Sequence, residues 1–208
     1  MGQGLNEARS KLARHARALN LRRGPRGVPA LVLMTDDARA ADWIEAVAAL
    51  PAGSAVIVRH REAKAREVLA RALRGICRQH RVKLLIADDA ALAERVGADG
   101  VHLPQGHLRL LRGLKLRFPR WLLTAAAHDA AALADAARQG ASAVFVSPVF
   151  ATASHPGARV LGAVRLAALA AHARVPVLAL GGIDGDNLRR VAPARVCGAG
   201  VIGAWIRS

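Results

Sequence analysis

Apolar and polar positions alternate along the chain with two periods. Short apolar, β-leaning runs recur at 30–35 (ALVLMT), 54–59 (SAVIVR), 82–87 (VKLLIA), 99–103 (DGVHL), 120–125 (RWLLTA), 142–147 (SAVFVS), 175–180 (VPVLAL) and 198–203 (GAGVIG). Between them lie stretches rich in Ala, Leu and Arg with helical spacing, at 40–50, 63–80, 90–96, 129–139, 164–172 and 186–191. Runs of this length alternating with helices predict a parallel sheet with helical crossovers.

Two architectures are built that way. An open doubly wound sheet announces itself by a glycine-rich turn after its first strand. Here the first run ends in Met34-Thr35-Asp36-Asp37, without a glycine. Eight strand–helix units closing into a ring fit the count. The expected fold is therefore α/β, a compact (β/α)8 TIM barrel over 28–208, preceded over 1–27 by a basic amphipathic helix and linker. That helix is expected at about Leu5 to Leu21. Only AWIRS follows the eighth run, too short for an outer helix, so the N-terminal helix is expected to cover part of the barrel.

The architecture says where ligand chemistry belongs. Barrel sites lie at the C-terminal ends of the strands, in the loops that lead to the helices. The segment after the sixth run, SPVFATASHPGARVLG, is the longest such loop, and its small and polar residues suit a clamp over a ligand. Gly181-Gly182 follows the seventh run and Gly203-Ala204 the eighth. Loops after strands seven and eight are where barrels hold phosphate, on backbone N–H groups that glycine leaves approachable.

Composition narrows the class. The chain has 208 residues, enough for one domain with a sizeable core, and no charge-free apolar run of membrane-spanning length. Cys77 and Cys197 sit far apart within apolar patterns, as buried free thiols of a cytoplasmic protein would. The net charge is +16, carried almost wholly by arginine. Such charge attracts polyanions without selectivity. Aromatic residues are 3% of the chain, too few for the stacking platforms of a selective nucleic-acid binder, so the arginines are assigned to solvated helix faces.

Four stretches, GADGVHLPQ (97–105), FVSPVFATASHPGARVLG (145–162), VPVLALGGI (175–183) and GAGVIGAW (198–205), resemble the thiamine phosphate synthase/TenI superfamily in order and spacing. The resemblance runs from Leu31 to Trp205 and implies a (β/α)8 barrel. Synthases of that family join a pyrimidine diphosphate to a thiazole phosphate, releasing pyrophosphate with the assistance of Mg2+. TenI-type members share the fold and tautomerise a thiazole carboxylate phosphate.

Carried over position by position, the resemblance is uneven. The family's Gln-x-Arg-x-Lys pattern on the second strand corresponds to Ile57, Arg59 and Arg61, so two cations persist for anion binding while Ile57 cannot hydrogen-bond. Its Asn-Asp-Arg on the third strand corresponds to Ala87, Asp88 and Asp89. Asp88 matches a Mg2+ ligand, whereas Asp89 puts an anion where a diphosphate would sit. At about 5 Å and an effective dielectric near 20, each such like-charge pair costs roughly 3 kcal/mol. The second acidic Mg2+ ligand corresponds to His107, a poor substitute for a carboxylate. The family's Thr-x-Thr-Lys becomes Thr152, Ser154 and His155, which implies that the long loop still meets an anionic substrate. His128 aligns with the proton-transferring histidine of TenI-type tautomerases, although the serine that accompanies it there is Ala126 here. His102 is read as structural.

The expected partner is thus a small phosphorylated heterocycle, with the phosphate on Gly181, Gly182, Gly203 and Ala204 and with His128 as acid–base group. Mg2+ is the only cofactor implied, and through a damaged subsite. Three readings remain open: a TenI-like thiazole tautomerase or degenerate synthase, an active Mg2+-dependent synthase, and a non-catalytic binder of a phosphorylated metabolite. Barrels of this kind often pair, so a homodimer belongs to the same expectation.

Overall fold

The computed structural model describes residues 2–37, 39, 41–152, 157 and 159–206. Among them eight parallel strands close into a ring in chain order. These are β1 (Leu31–Met34), β2 (Ala55–Val58), β3 (Lys83–Ala87), β4 (Gly100–Leu103), β5 (Leu122–Ala127), β6 (Ala143–Val146), β7 (Val177–Ala179) and β8 (Val196–Val201). The ring closes through the parallel pairing of β1 with β8, Val32 lying opposite Gly200. The helices are α1 (Gly2–Arg23), α2 (Trp43–Ala48), α3 (Ala63–His80), α4 (Ala90–Arg95), α5 (Leu110–Arg117), α6 (Ala130–Arg138) and α7 (Gly162–His172). This is the (β/α)8 barrel that the alternation predicts.

Local chemistry explains the boundaries. α3 coincides with its predicted span because Glu62 caps it, the carboxylate accepting the amides of Lys64 and Ala65. Asp42, Asp89 and Asp129 cap α2, α4 and α6 in the same manner. α5 was not assigned from sequence; no side chain caps it, and Gly113 interrupts its spacing. β8 begins two residues earlier than predicted, because Val196 pairs with Val177 and a bulge then lets Gly198 meet Leu178.

Two apolar shells follow from the strand period of two. Outward-facing residues pack against the helices in one continuous cluster. Inward-facing residues, among them Val32, Met34, Ile57, Leu85, Phe145 and Leu178, fill the barrel. Phe145 uses the space opposite Gly200, where a Cβ would lie 2.9 Å from its ring.

Among the described residues no outer helix follows β8. α1 packs there instead, burying Leu12, Ala16 and Leu19, spaced to share one helical face, against the strand. Asn20 donates its side-chain amide to the Cys197 carbonyl at 3.0 Å. Arg9, 5% exposed, donates to the Trp205 carbonyl and forms a two-pronged pair with Glu45 of α2, at 2.6 and 3.0 Å. The first helix thereby stands in for the eighth. No helix among the described residues is long and apolar enough to cross a membrane.

The arginine excess is largely surface chemistry. Arg71 and Arg95 pair with Glu67, Arg117 with Glu94 and Arg138 with Asp135, all on exposed helix faces. Each such pair contributes little to stability.

Candidate functional site

At the C-terminal mouth of the barrel, the ends of β7 and β8 enclose a cavity of about 390 Å³. Gly181, Gly182, Gly203 and Ala204 all line it, as do Thr152 and Arg39. Gly181 and Gly182 have positive φ, 91° and 63°, the left-handed region that glycine enters without strain. A second reason for glycine lies behind them. A Cβ on Gly181 would stand 2.8 Å from the Pro148 Cα, and one on Gly182 would stand 2.3 Å from the Ala151 carbonyl oxygen. The loop after β6 therefore lies directly on the glycine turn. It is held there as Val149 and Phe150 donate their amides to the Leu180 and Gly181 carbonyls. On the far side Asn187 donates to the Gly182 carbonyl at 2.6 Å, and Asp184 accepts the amides of Asp186 and Asn187. The turn is fixed from both flanks.

His128 stands just past β5. Its backbone amide donates to the Gln105 side chain at 2.9 Å, and Gln105 in turn donates to Asp129. Its ring Nδ1 lies 2.7 Å from the Ser147 carbonyl. A carbonyl only accepts, so Nδ1 carries the proton and Nε2 of the neutral ring keeps the lone pair. Ala126 had removed the expected hydroxyl partner; the Ser147 carbonyl, just past β6, takes its place, with the Ser147 hydroxyl 3.5 Å from the same nitrogen. The same strand end feeds the loop that lies on the glycine turn, so ring and cavity share one support.

Asp88 and His107 meet as a pair, Nδ1 of the imidazole donating to the carboxylate at 2.6 Å. Asp89 behaves differently from the sequence expectation. One of its oxygens caps α4 through the Leu92 amide, and the other pairs with Arg66 of α3 at 3.1 Å. Its charge is compensated, which removes most of the repulsion that a naked carboxylate would exert. For Mg2+, which takes oxygen ligands from one or two carboxylates together with substrate phosphates, this end of the barrel offers Asp88 alone, since His107 supplies an imidazole and Asp89 is spent on a helix cap. Among the described residues no three His, Cys, Asp or Glu side chains gather into a cation site.

A third group occupies the β1 and β2 ends. Buried Asp36 faces Arg39 at 3.4 Å and Arg59 at 3.9 Å. Arg59 is further held through its amide, which donates to the Thr35 hydroxyl, and Arg61 through its amide, which donates to Asp37. That amide holds the Asp37 carboxyl below its usual range. Thr152 reaches the cavity rim, while Ser154 and His155 lie outside the described residues. Sequence reasoning missed Arg39, Gln105 and Asp36. The Thr-Asp pair ending β1 was the available signal for the last of these.

The cysteines take no part. Burial pushes the Cys77 thiol up to about 12 and the Cys197 thiol up to about 11, so neither supplies a thiolate near neutrality. His102 is buried edge-on to Phe145, with ring centres 5.3 Å apart. Burial, and secondarily the Arg59 cation, press its pKa from 6.5 down to about 4. Above pH 6.5 both folded and unfolded chains hold it neutral. Below that, the unfolded chain gains a proton that the folded one refuses, so stability falls as pH drops from about 6.5 to about 4. The loss is expected to be on the order of 3 kcal/mol. Urea unfolding of the protein and of His102→Gln at pH 7 and pH 5 checks it; equal pH sensitivity in both would refute the assignment.

The chain is thus a closed eight-stranded barrel whose β7 and β8 loops, the place where such barrels frequently hold phosphate, line a glycine-rich cavity. Within that class the chain is a member of the thiamine monophosphate synthase family, TenI proteins included, whose model matches residues 31–205. It is 33% identical to the thiamine-phosphate synthase of Chloroflexus aurantiacus over 159 residues, 74% of this chain and 73% of the relative. It is 34% identical to the thiamine-phosphate synthase of Synechocystis sp. over 146 residues, 68% of this chain but only 43% of that longer protein. Among solved structures, the thiamine phosphate pyrophosphorylase of Pyrococcus furiosus superposes with a TM-score of 0.73 at 27% identity, covering 89% of each chain.

Proposed function

We propose that the chain is a TenI-like enzyme that binds a phosphorylated thiazole and moves a proton on it with His128, without a metal in the reaction. The observation that carries this reading is the Nδ1–Ser147 carbonyl contact, which leaves Nε2 as a base of fixed orientation. In a tautomerisation that nitrogen takes a proton from one carbon and returns it to another, so substrate and product are isomers and nothing else is consumed. The phosphate goes to the cavity of Gly181, Gly182, Gly203 and Ala204. Arg59, Arg61 and Thr152 are assigned to the remaining anionic groups, and Ser154 and His155, outside the described residues, are assigned there by the resemblance alone. The Asp88–His107 pair supports the reading from the other side, since it puts an imidazole where a diphosphate-bound Mg2+ would need a second carboxylate.

The synthase reading draws on the description of the family model and on the names of the relatives and of the similar solved structure. A single experiment separates the two. The protein is incubated with thiazole carboxylate phosphate and followed by NMR, and separately with pyrimidine diphosphate and thiazole phosphate, with and without Mg2+. Isomerisation indifferent to Mg2+ is the expected result. Thiamine phosphate formed only when Mg2+ is present would overturn the proposal.

A further inference from the structure

We infer that the face of the barrel opposite the mouth docks on an anionic phospholipid surface, through exposed arginines and two projecting leucines. Every strand of a parallel barrel starts at that face, and the outer helices return to it. Capping then sorts charge between the two ends. Asp42, Glu62, Asp89 and Asp129 cap helix N-termini, and so stand at the mouth end. The last helical turns, at the other end, carry Arg22 and Arg23 in α1, Arg78 in α3 and Arg117 in α5. Beyond them Arg26, Arg81, Arg120 and Arg174 are exposed in the turns that enter β1, β3, β5 and β7, one in each quarter of the ring. None of these four makes an ion pair among the described residues. Glu94, Asp99 and Asp135, the acids nearest that end, are already paired with Arg117, Arg74 and Arg138.

Cations at helix C-termini complement the helix dipole, which is reason enough for one at each end. It gives no reason for the apolar side chains beside them. Leu21, in the last turn of α1, is 77% exposed, and Leu116, in the last turn of α5, is 79% exposed. They are the two most exposed leucines among the described residues. β1 and β5 lie opposite one another in the ring, so the leucines that precede them stand on opposite sides of the face. Arginines spread around a face, with apolar side chains projecting among them, match anionic headgroups above an acyl layer. Nucleic acid fits less well, because base stacking needs a free ring. Phe118, in the turn into β5, is already stacked on Trp121 at 3.7 Å and approached by the Arg117 guanidinium at 5.0 Å. A second copy docked by the same face would set arginine against arginine. Contact at this face leaves the mouth open to solution.

The test is flotation of the full chain with phosphatidylcholine vesicles, with and without phosphatidylglycerol. Flotation with the mixed vesicles alone is expected. A blue shift of tryptophan emission should accompany it, since Trp43 and Trp205 are buried while half-buried Trp121 lies at this face. Arg22→Glu combined with Arg23→Glu should weaken partitioning roughly ten- to thirtyfold, at about fivefold for each cation lost. Leu21→Ser combined with Leu116→Ser should weaken it several-fold at unchanged net charge. Arg109→Glu combined with Arg165→Glu makes the same charge change at the mouth end, and should alter it by no more than about twofold. Equal losses for the two arginine pairs would reduce the attraction to net charge and overturn the inference. So would partitioning indifferent to the leucines, or no flotation with the mixed vesicles. Binding of duplex DNA, or self-association, that is lost with Arg22 and Arg23 while vesicles are ignored would overturn it in favour of those partners.

Discussion

Asparagine in place of His128 is expected to slow thiazole isomerisation by about a hundred- to ten-thousandfold, the usual worth of a positioned acid–base group. Affinity for the ligand should change by no more than a few fold. The choice of asparagine matters, since its amide can still donate to the Ser147 carbonyl that now accepts from Nδ1. The contact is preserved and the basic nitrogen is removed. Neither the Gln105 contact to the backbone amide of residue 128 nor the capping of α6 by Asp129 depends on the side chain exchanged. Turnover and dissociation constant, measured on the same preparation, separate chemistry from binding. A parallel loss in both would point to a binding role, and unchanged turnover would remove His128 from the reaction.

The second large effect concerns stability. Trp205→Ala is expected to cost about 3 to 5 kcal/mol, read as a lower urea midpoint at unchanged slope. Trp205 is 1% exposed, and its indole N–H donates to the Ala46 carbonyl of α2 at 2.8 Å. Its own carbonyl accepts from Arg9 of α1, whose guanidinium lies 5.4 Å from the ring centre. One side chain thus joins the exit of β8 to two helices from the beginning of the chain. Truncation opens a void that these elements cannot fill without moving, and it strands a buried carbonyl. Trp205→Phe keeps most of the ring and loses the N–H, for an expected cost nearer 1 kcal/mol. A loss for the alanine variant no larger than that for phenylalanine would show that packing around residue 205 is loose.

The barrel was legible because burial on both faces writes a strand as a short apolar block, and the blocks come at regular intervals. The glycine turns were legible because a positive φ and a close approach leave a mark on residue identity, as at Gly181 and Gly182. Other features left no such mark. His128 is oriented by a backbone carbonyl, and every residue has one. Asp89 looked like an uncompensated anion because its partner, Arg66, comes from α3, 23 residues earlier. Arg39 was hidden by abundance: in a chain this rich in arginine, only the structure tells the one that lines the cavity from those on solvated helices. α5 escaped because Gly113 interrupts the apolar spacing that marked the other helices.

A helix that packs against a strand met some 175 residues later in the chain also sets a timetable. The apolar stripe of α1 leaves the ribosome early, while the strand it must cover, Val196–Val201, follows roughly 175 residues later, a wait of about 10 to 35 s at ordinary rates of synthesis. During that interval Leu12, Ala16 and Leu19 have no native partner. Ring closure between β1 and β8 waits for the same strand, so β8 completes the sheet and shelters the first helix together. Truncation near the end of β8 should therefore be felt most strongly at the N-terminus, as protease-sensitive bonds within α1.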